Sequence, residues 1–218
     1  MENSYWHQKW NAHEIGFNQL QPNQLLQRYC HTLNLQPGDR VFVPLCGKSI
    51  DMLWLIQQGY HVIGVELSLM ACESFFSDYN LPVKTIQTES HTIFQSENIT
   101  LYASDFFQLN KALIGDITAV YDRAALIALP ATLRRRYVDY LISLLCPSTK
   151  ILLITTVYNQ SEMPGPPFSV DRNEIETLYG TYLHIDLLYD NPIQKIPEHL
   201  RKRGLSDATE HAFLLALK

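Results

Sequence analysis

The stretch from Arg40 to Glu66, RVFVPLCGKSIDMLWLIQQGYHVIGVE, limits the possible folds more than any other part of the chain. Arg40 to Leu45 is short, branched and apolar, which predicts a strand buried on both faces. Cys46-Gly47-Lys48 interrupts it and places one glycine where backbone must come close to a ligand. Lys48 or Ser49 then opens a helix, with Ile50, Leu53 and Trp54 at helical spacing on one face. Gly59 ends that helix, and His61 to Glu66 reads as a second apolar strand. Such a unit sets a helix N-terminus over the carboxyl end of the first strand. It also sets a carboxylate, Glu66, at the tip of the second strand, where it can accept hydrogen bonds from two ribose hydroxyls. The expectation is a nucleoside-cofactor cradle; the plainer alternative is a generic βαβ unit with a surface Glu66.

The residues discriminate among nucleoside cofactors. Gly47-Lys48-Ser49 has the tail of a Walker A loop, but the position five before Gly47 is Phe42, inside the strand, so no phosphate loop can be built. A dinucleotide fingerprint needs further glycines around Gly47, and Cys46 and Lys48 stand there instead. A cofactor with ribose and adenine but no phosphate remains, and S-adenosylmethionine fits that description.

A wider set of motifs carries a resemblance. PLCGK at 44–48 with Asp51, GVE at 64–66, YDRAAL at 121–126 and PGPPF at 164–168 together resemble the thiopurine S-methyltransferase family, in its bacterial branch. The likeness runs from Trp6 to the last strand. It implies a Rossmann-like, doubly wound α/β fold of the S-adenosylmethionine-dependent methyltransferase type, with seven strands and an antiparallel pair at the end. It implies transfer of a methyl group to the sulfur of thiopurines or other small aromatic or heterocyclic thiols, and extends to selenium and tellurium compounds. Trp10 matches a cofactor contact and Phe17 a substrate-pocket aromatic. The candidate cofactor set is Trp10, Leu45, Gly47, Glu66, Ser104, Asp105 and Arg123; the candidate substrate set is Phe17 and Phe168. Arg123 is the candidate catalytic residue.

Arg123 follows an expected strand, Ile117 to Tyr121, at the carboxyl edge of the sheet where open α/β folds bind ligands. A thiolate is a strong nucleophile that needs no dedicated base, so the useful group is a cation that favours the anionic acceptor. The competing role is a loop arginine paired with Asp122. Ala124 departs from relatives that carry glycine after the arginine, which bears on loop shape. Enzymes acting on nucleobase amines carry an Asn/Asp-Pro-Pro-Tyr turn at this place, and this chain has YDRA. Cys46 reads as a small apolar turn residue in preference to a nucleophile. The other rivals are a small-molecule O- or N-methyltransferase and a non-catalytic S-adenosylmethionine-binding protein.

Two segments admit two readings each. Trp6 and Trp10 share a helix face, either as a small amphipathic helix packed on the core or as an aromatic lid over the site. PGPPF is rigid; it is either a plain connection or a wall of the acceptor pocket bearing Phe168.

The remaining elements follow from pattern. A helix is expected over Gln24–Leu33 and another from an N-cap at Ser68 to Tyr79. A hairpin is expected from Thr92–Phe94 and Ile99–Ala103, and an amphipathic helix over Thr132–Leu145. Strands are expected at Thr149–Val157, Tyr182–Asp190 and His211–Leu217, with a helix at Asp171–Tyr179. Arginines 134–136 and the cluster Arg201-Lys202-Arg203 read as solvated. The 218 residues suit one domain, with residues 1–36 as lid and helix and 37–218 as core. A net charge of −5 disfavours nucleic acid as a partner. Four cysteines without C-x-x-C spacing suit a reducing, cytoplasmic setting. No signal peptide or apolar run of membrane-spanning length is visible. His7 and His13 do not share a helix face, so no metal is expected. A monomer acting on a small thiol is the resulting picture.

Overall fold

The computed structural model describes residues 3–12, 16 and 18–218, with the side chains of residues 3 and 4 excepted. Two compact units are present, residues 1–121 and 122–218. The first contains α1 (Asn3–Asn11), α2 (Gln24–Tyr29), β1 (Arg40–Val43), α3 (Ile50–Gln57), β2 (His61–Glu66) and α4 (Leu69–Asp78). It continues with β3 (Lys84–Gln87), β4 (Thr92–Ser96), β5 (Ile99–Ala103), α5 (Lys111–Ile114) and β6 (Ala119–Asp122), which ends at the boundary. The second holds α6 (Ala131–Leu144), β7 (Lys150–Val157), α7 (Arg172–Tyr179), β8 (Leu183–Pro192), α8 (Glu198–Arg201) and β9 (Thr209–Leu217).

In the first unit β5, β2, β1 and β6 are parallel neighbours, with Val41 beside Val62 on one side and Ala119 on the other. The chain builds outward from β1 through β2 to β5, then returns to the opposite side of β1 as β6. That reversal marks the carboxyl end of β1 as the place where ligands bind in open α/β sheets. Phe42, Val41 and Val62 are fully buried, as a strand covered on both faces requires. The expected hairpin is β4–β5, and it is extended by β3, which was not foreseen; Lys84, Thr85 and Gln87 are exposed, so no apolar run announced it. The described residues hold nine strands, against the seven that the resemblance implies.

The expected helix at Gln24–Leu33 is α2 followed by a 3-10 turn over Cys30–Leu33, closed by Asn34 in the left-handed region at φ 57°. The strand expected to run to Leu45 stops at Val43, and Pro44-Leu45 already turn. In the second unit β9 pairs antiparallel with both β7 and β8. The alternation read for β8 breaks at a bulge between Leu187 and Tyr189. Arg134 is not solvated as expected: it is 3% exposed, its Nε donates to Leu129 O at 2.9 Å, and its Nη1 reaches Glu174 at 2.6 Å. A three-arginine run says nothing about which member points inward; the helical face of Tyr137, Val138 and Leu141 does.

One buried carboxylate links three elements of the first unit. Asp51, fully buried in the first turn of α3, accepts from Asn23 N–H at 2.7 Å and from the Tyr121 hydroxyl at 3.0 Å. Asn23 in turn caps α2 through its own side chain, accepting from Leu25 and Leu26 N–H. Asp51→Ala strands both donors, so unfolding free energy should fall by roughly 2–5 kcal/mol, and by less in Asp51→Asn. Urea denaturation checks this; a D51A midpoint equal to the parent's contradicts the linkage.

Candidate active site

The turn after β1 is built from residues in unusual backbone conformations. Leu45 has φ 46° and Gly47 φ 53°, both in the left-handed region that favours glycine. For Leu45 that conformation is strained, and such strain persists only where surrounding structure fixes it. The fixing group is Glu66. Its Oε2 accepts from Gly47 N–H at 2.9 Å and its Oε1 from Ser68 N–H at 2.7 Å. Burial raises the Glu66 carboxyl above its ordinary value, and the backbone donors of Ser68, Gly47 and Leu67 pull it back. Each oxygen keeps a second lone-pair direction, so the two bonds leave acceptor capacity for hydroxyl groups. Glu66 is thus a brace for the turn as well as a candidate ribose ligand, a role the sequence did not reveal.

Gly47 is a cradle in the literal sense. A Cβ built on it would lie 3.3 Å from Trp10 Cζ2 and 3.8 Å from Asn18 Oδ1. Trp10, 4% exposed, therefore packs over the glycine itself. Ser49 caps α3 by accepting from Asp51 N–H at 3.2 Å, as expected. Lys48 pairs with Asp78 at 2.7 Å on the far end of α4, which accounts for the lysine without a phosphate. Gly64 is needed because a Cβ there would meet Leu101 at 2.4 Å and Cys46 Sγ at 2.9 Å. Cys46 is buried, and burial pushes its thiol well above the usual range, so it is a packing residue.

Ser104 and Asp105 join this edge because β5 lies beside β2. Ala103 stands opposite Glu66 in register, and Ser104 N–H donates to Glu66 O at 2.9 Å. Ser104 Oγ is 2.8 Å from Nδ1 of His91, a buried residue that sequence reading did not single out. Asp105 caps the following turn by accepting from Phe107 N–H at 2.9 Å. The structure thus brings Trp10, Leu45, Gly47, Glu66, Ser104 and Asp105 together along the carboxyl edge of three parallel strands. Phe17 and His13 lie outside the described residues.

The second unit carries Arg123 and Phe168. Arg123 is half-buried and is the first residue past β6. The carboxylate before it is committed: Asp122 Oδ1 accepts from Ala125 and Leu126 N–H at 3.1 and 3.2 Å, and Oδ2 from the Tyr137 hydroxyl at 2.6 Å. These bonds fix the turn on which Arg123 stands. PGPPF is held on every side. Arg203 Nη1 and Nη2 donate to Pro166 and Gly165 carbonyls at 2.7 and 3.0 Å, and the Tyr158 hydroxyl donates to Pro167 O at 2.6 Å. Phe168 N–H donates to Ile127 O at 2.7 Å, and the Arg134 guanidinium lies 5.6 Å from the Phe168 ring centre. Gly165, at φ 78°, makes room for that ring, which a Cβ would meet at 2.5 Å. Phe168 lines a cleft of about 450 Å³ with Gln160, Pro164 and Glu174. Among the described residues no helix is long and apolar enough to cross a membrane, and no three potential ligands cluster as a metal site would need.

Two outcomes follow from these carboxylates. Glu66→Gln turns an amide N–H toward a backbone N–H, so stability of the free protein should fall by about 1–3 kcal/mol in urea. Burial raises Asp122 to about 6, against 3.8 ordinarily. The native state then binds more protons than the unfolded one between about pH 4 and pH 6. Stability contributed here is greatest at the acid end and declines as pH rises, by up to roughly 3 kcal/mol, then levels off. Asp122→Asn, which keeps an acceptor for both amides, should remove that slope from a series of unfolding curves.

The comparisons agree along the whole chain. The family model for thiopurine S-methyltransferase (TPMT) matches residues 1–218. A thiopurine S-methyltransferase of Nitrosospira multiformis is 44% identical over 215 residues, covering 99% of this chain and 98% of the relative. One of Pseudomonas syringae pv. tomato is 42% identical over 218 residues, covering 100% and 99%. Among solved structures, a SAM-dependent methyltransferase from Anabaena variabilis has a TM-score of 0.66 at 16% identity, covering 99% of this chain and 95% of that one. A Burkholderia thailandensis 1,6-didemethyltoxoflavin-N1-methyltransferase, solved with S-adenosylhomocysteine, has a TM-score of 0.65 at 12% identity, covering 98% and 87%. At such identities the structural likeness shows the fold alone, that of the S-adenosylmethionine-dependent methyltransferases. By the family match and the identities, the chain belongs to the thiopurine S-methyltransferase family.

Proposed function

We propose that this protein transfers the methyl group of S-adenosylmethionine to the sulfur of thiopurines or related small aromatic and heterocyclic thiols. The observation that carries the reading is the strained Leu45–Gly47 turn braced by Glu66, in a chain whose family match runs end to end. The turn has one glycine and no phosphate loop. Its acceptor carboxylate suits ribose hydroxyls, and the indole over Gly47 offers an aromatic face to a phosphate-free nucleoside with an amino-acid arm. S-adenosylmethionine supplies, when bound, a methyl group on a positively charged sulfur.

The residues then have separable tasks. Glu66 orients the ribose; Trp10 covers Gly47 and keeps water away; Ser104 and Asp105 face the adenine. Attack on the methyl carbon by a thiolate needs alignment and a dry site more than a base. Arg123 favours the anionic acceptor, with its guanidinium directed toward the thiolate or a ring nitrogen. Phe168, on its clamped loop, is the aromatic wall against a flat heterocycle, and Phe17 is assigned the same pocket. Selenium and tellurium nucleophiles are soft in the same way and belong to the same acceptor class. The protein acts as a monomer in the cytoplasm, as one domain.

A labelled-methyl assay over a panel of thiols, phenols and amines tests the reading; preferred transfer to phenols or amines overturns it. Arg123→Ala should lower kcat/KM for thiols by about 100-fold or more, and Arg123→Lys less, since Lys keeps the charge but not the planar fork. The alanine variant should regain part of its activity as pH rises, because the acceptor then ionises unaided. Parent-like rates in both variants from neutral to alkaline pH remove Arg123 from the reaction.

A further inference from the structure

One polar group in the cradle has no use in the free protein. Asn18 Nδ2 is buried and makes no hydrogen bond. The same amide lies at Gly47, with its Oδ1 3.8 Å from the position a Gly47 Cβ would take, beside Trp10 Cζ2 at 3.3 Å. Buried amide donors are almost always paired, and one left unpaired is costly enough to call for an explanation. Gly47's own N–H is already given to Glu66. A buried, unpaired donor on an amide beside a ligand-approach glycine points to an acceptor on the ligand.

The chemistry of S-adenosylmethionine narrows which acceptor. Its acceptors are the ribose oxygens, the adenine nitrogens and the amino-acid carboxylate; its ammonium and sulfonium accept nothing. Glu66, an acceptor, takes the ribose through the hydroxyl protons. Ser104 and Asp105 lie along the edge at the end of β5, where the adenine is assigned. Among the residues of the first unit, the carboxylate is the acceptor left without a donor, and a carboxylate makes the stronger, charge-assisted bond with an amide N–H.

We propose that Asn18 is a further cofactor-binding residue, whose Nδ2 donates to the amino-acid carboxylate of S-adenosylmethionine at the Gly47 turn. The inference rests on the reading of this turn as the cofactor cradle. It also gives a use to the polar residue that stands beside Trp10 at Gly47. Ligand binding satisfies the orphaned amide.

Calorimetric titration with two ligands tests it: S-adenosylhomocysteine, which carries the carboxylate, and 5′-methylthioadenosine, which lacks the amino-acid arm. Asn18→Ala should weaken S-adenosylhomocysteine about tenfold or more while 5′-methylthioadenosine changes less than twofold. Asn18→Asp, which sets like charges together, should weaken the former further. The melting temperature of free Asn18→Ala should equal or exceed the parent's, since an unpaired donor is removed. Unchanged S-adenosylhomocysteine affinity overturns the proposal, as does an equal loss for both ligands. So does intact binding with a raised KM for the thiol, which would move Asn18 to the acceptor. Glu66→Gln is the control: if it alters neither ligand, the cradle reading fails and takes this inference with it, whereas loss in E66Q with parent-like N18A fails the inference alone.

Discussion

The pair of hydrogen bonds from Gly47 and Ser68 N–H to the Glu66 carboxylate is what the rest of the site depends on. It joins the turn after β1 to the helix start after β2, and both are the loops that a ligand at the carboxyl edge must touch. Leu45 is held left-handed by that closure. Trp10 can lie over Gly47 only because the turn presents bare backbone there. Behind the turn, Asp51 repeats the device in a drier place, tying the start of α2 and the end of β6 to the first turn of α3. Two buried carboxylates, each held by two neutral donors, convert a generic βαβ unit into one with a fixed mouth. Neutral donors suffice because a carboxylate with two or three well-placed N–H or O–H groups recovers much of its lost hydration.

The second unit uses the same principle for a different purpose. Asp122 gathers two amides and a tyrosine hydroxyl, and so shapes the turn that begins with Arg123. Arg203 and Tyr158 take the carbonyls of PGPPF, which has few N–H groups of its own to offer. A proline-rich loop without such partners would have its carbonyls facing solvent and its aromatic residue unplaced. Loops held this firmly can set specificity, since the side chain they carry does not have to be ordered at each binding event.

Much of this was legible in the residues because the signals were periodic or unusual. The buried strands β1 and β2, the Ser49 and Ser68 caps and the lone glycine at 47 each follow from one local rule. The acidic tip at Glu66 was expected as a ligand, and its part as a brace was not legible, because hydrogen bonds to backbone leave no trace in side-chain pattern. β3 escaped for a related reason: Lys84, Thr85 and Gln87 are an exposed edge, with no apolar alternation to read. Arg134 looked like a surface charge within a basic run, whereas its neighbours on the helical face point inward and Glu174 awaits it from another helix. Asn18 and His91 were invisible for a third reason, since their importance lies in what surrounds a single polar atom and not in their spacing.

The central claim is that the braced turn between β1 and β2 is where the nucleoside cofactor sits. Nitrogen-15 amide spectra of the labelled protein, titrated with S-adenosylhomocysteine, test it most directly. The account predicts saturable shifts concentrated at the amides of Leu45 to Ser49 and Glu66 to Ser68 and at the indole of Trp10, with the Gly47 resonance among the largest. Saturable shifts that leave these amides unmoved would contradict it.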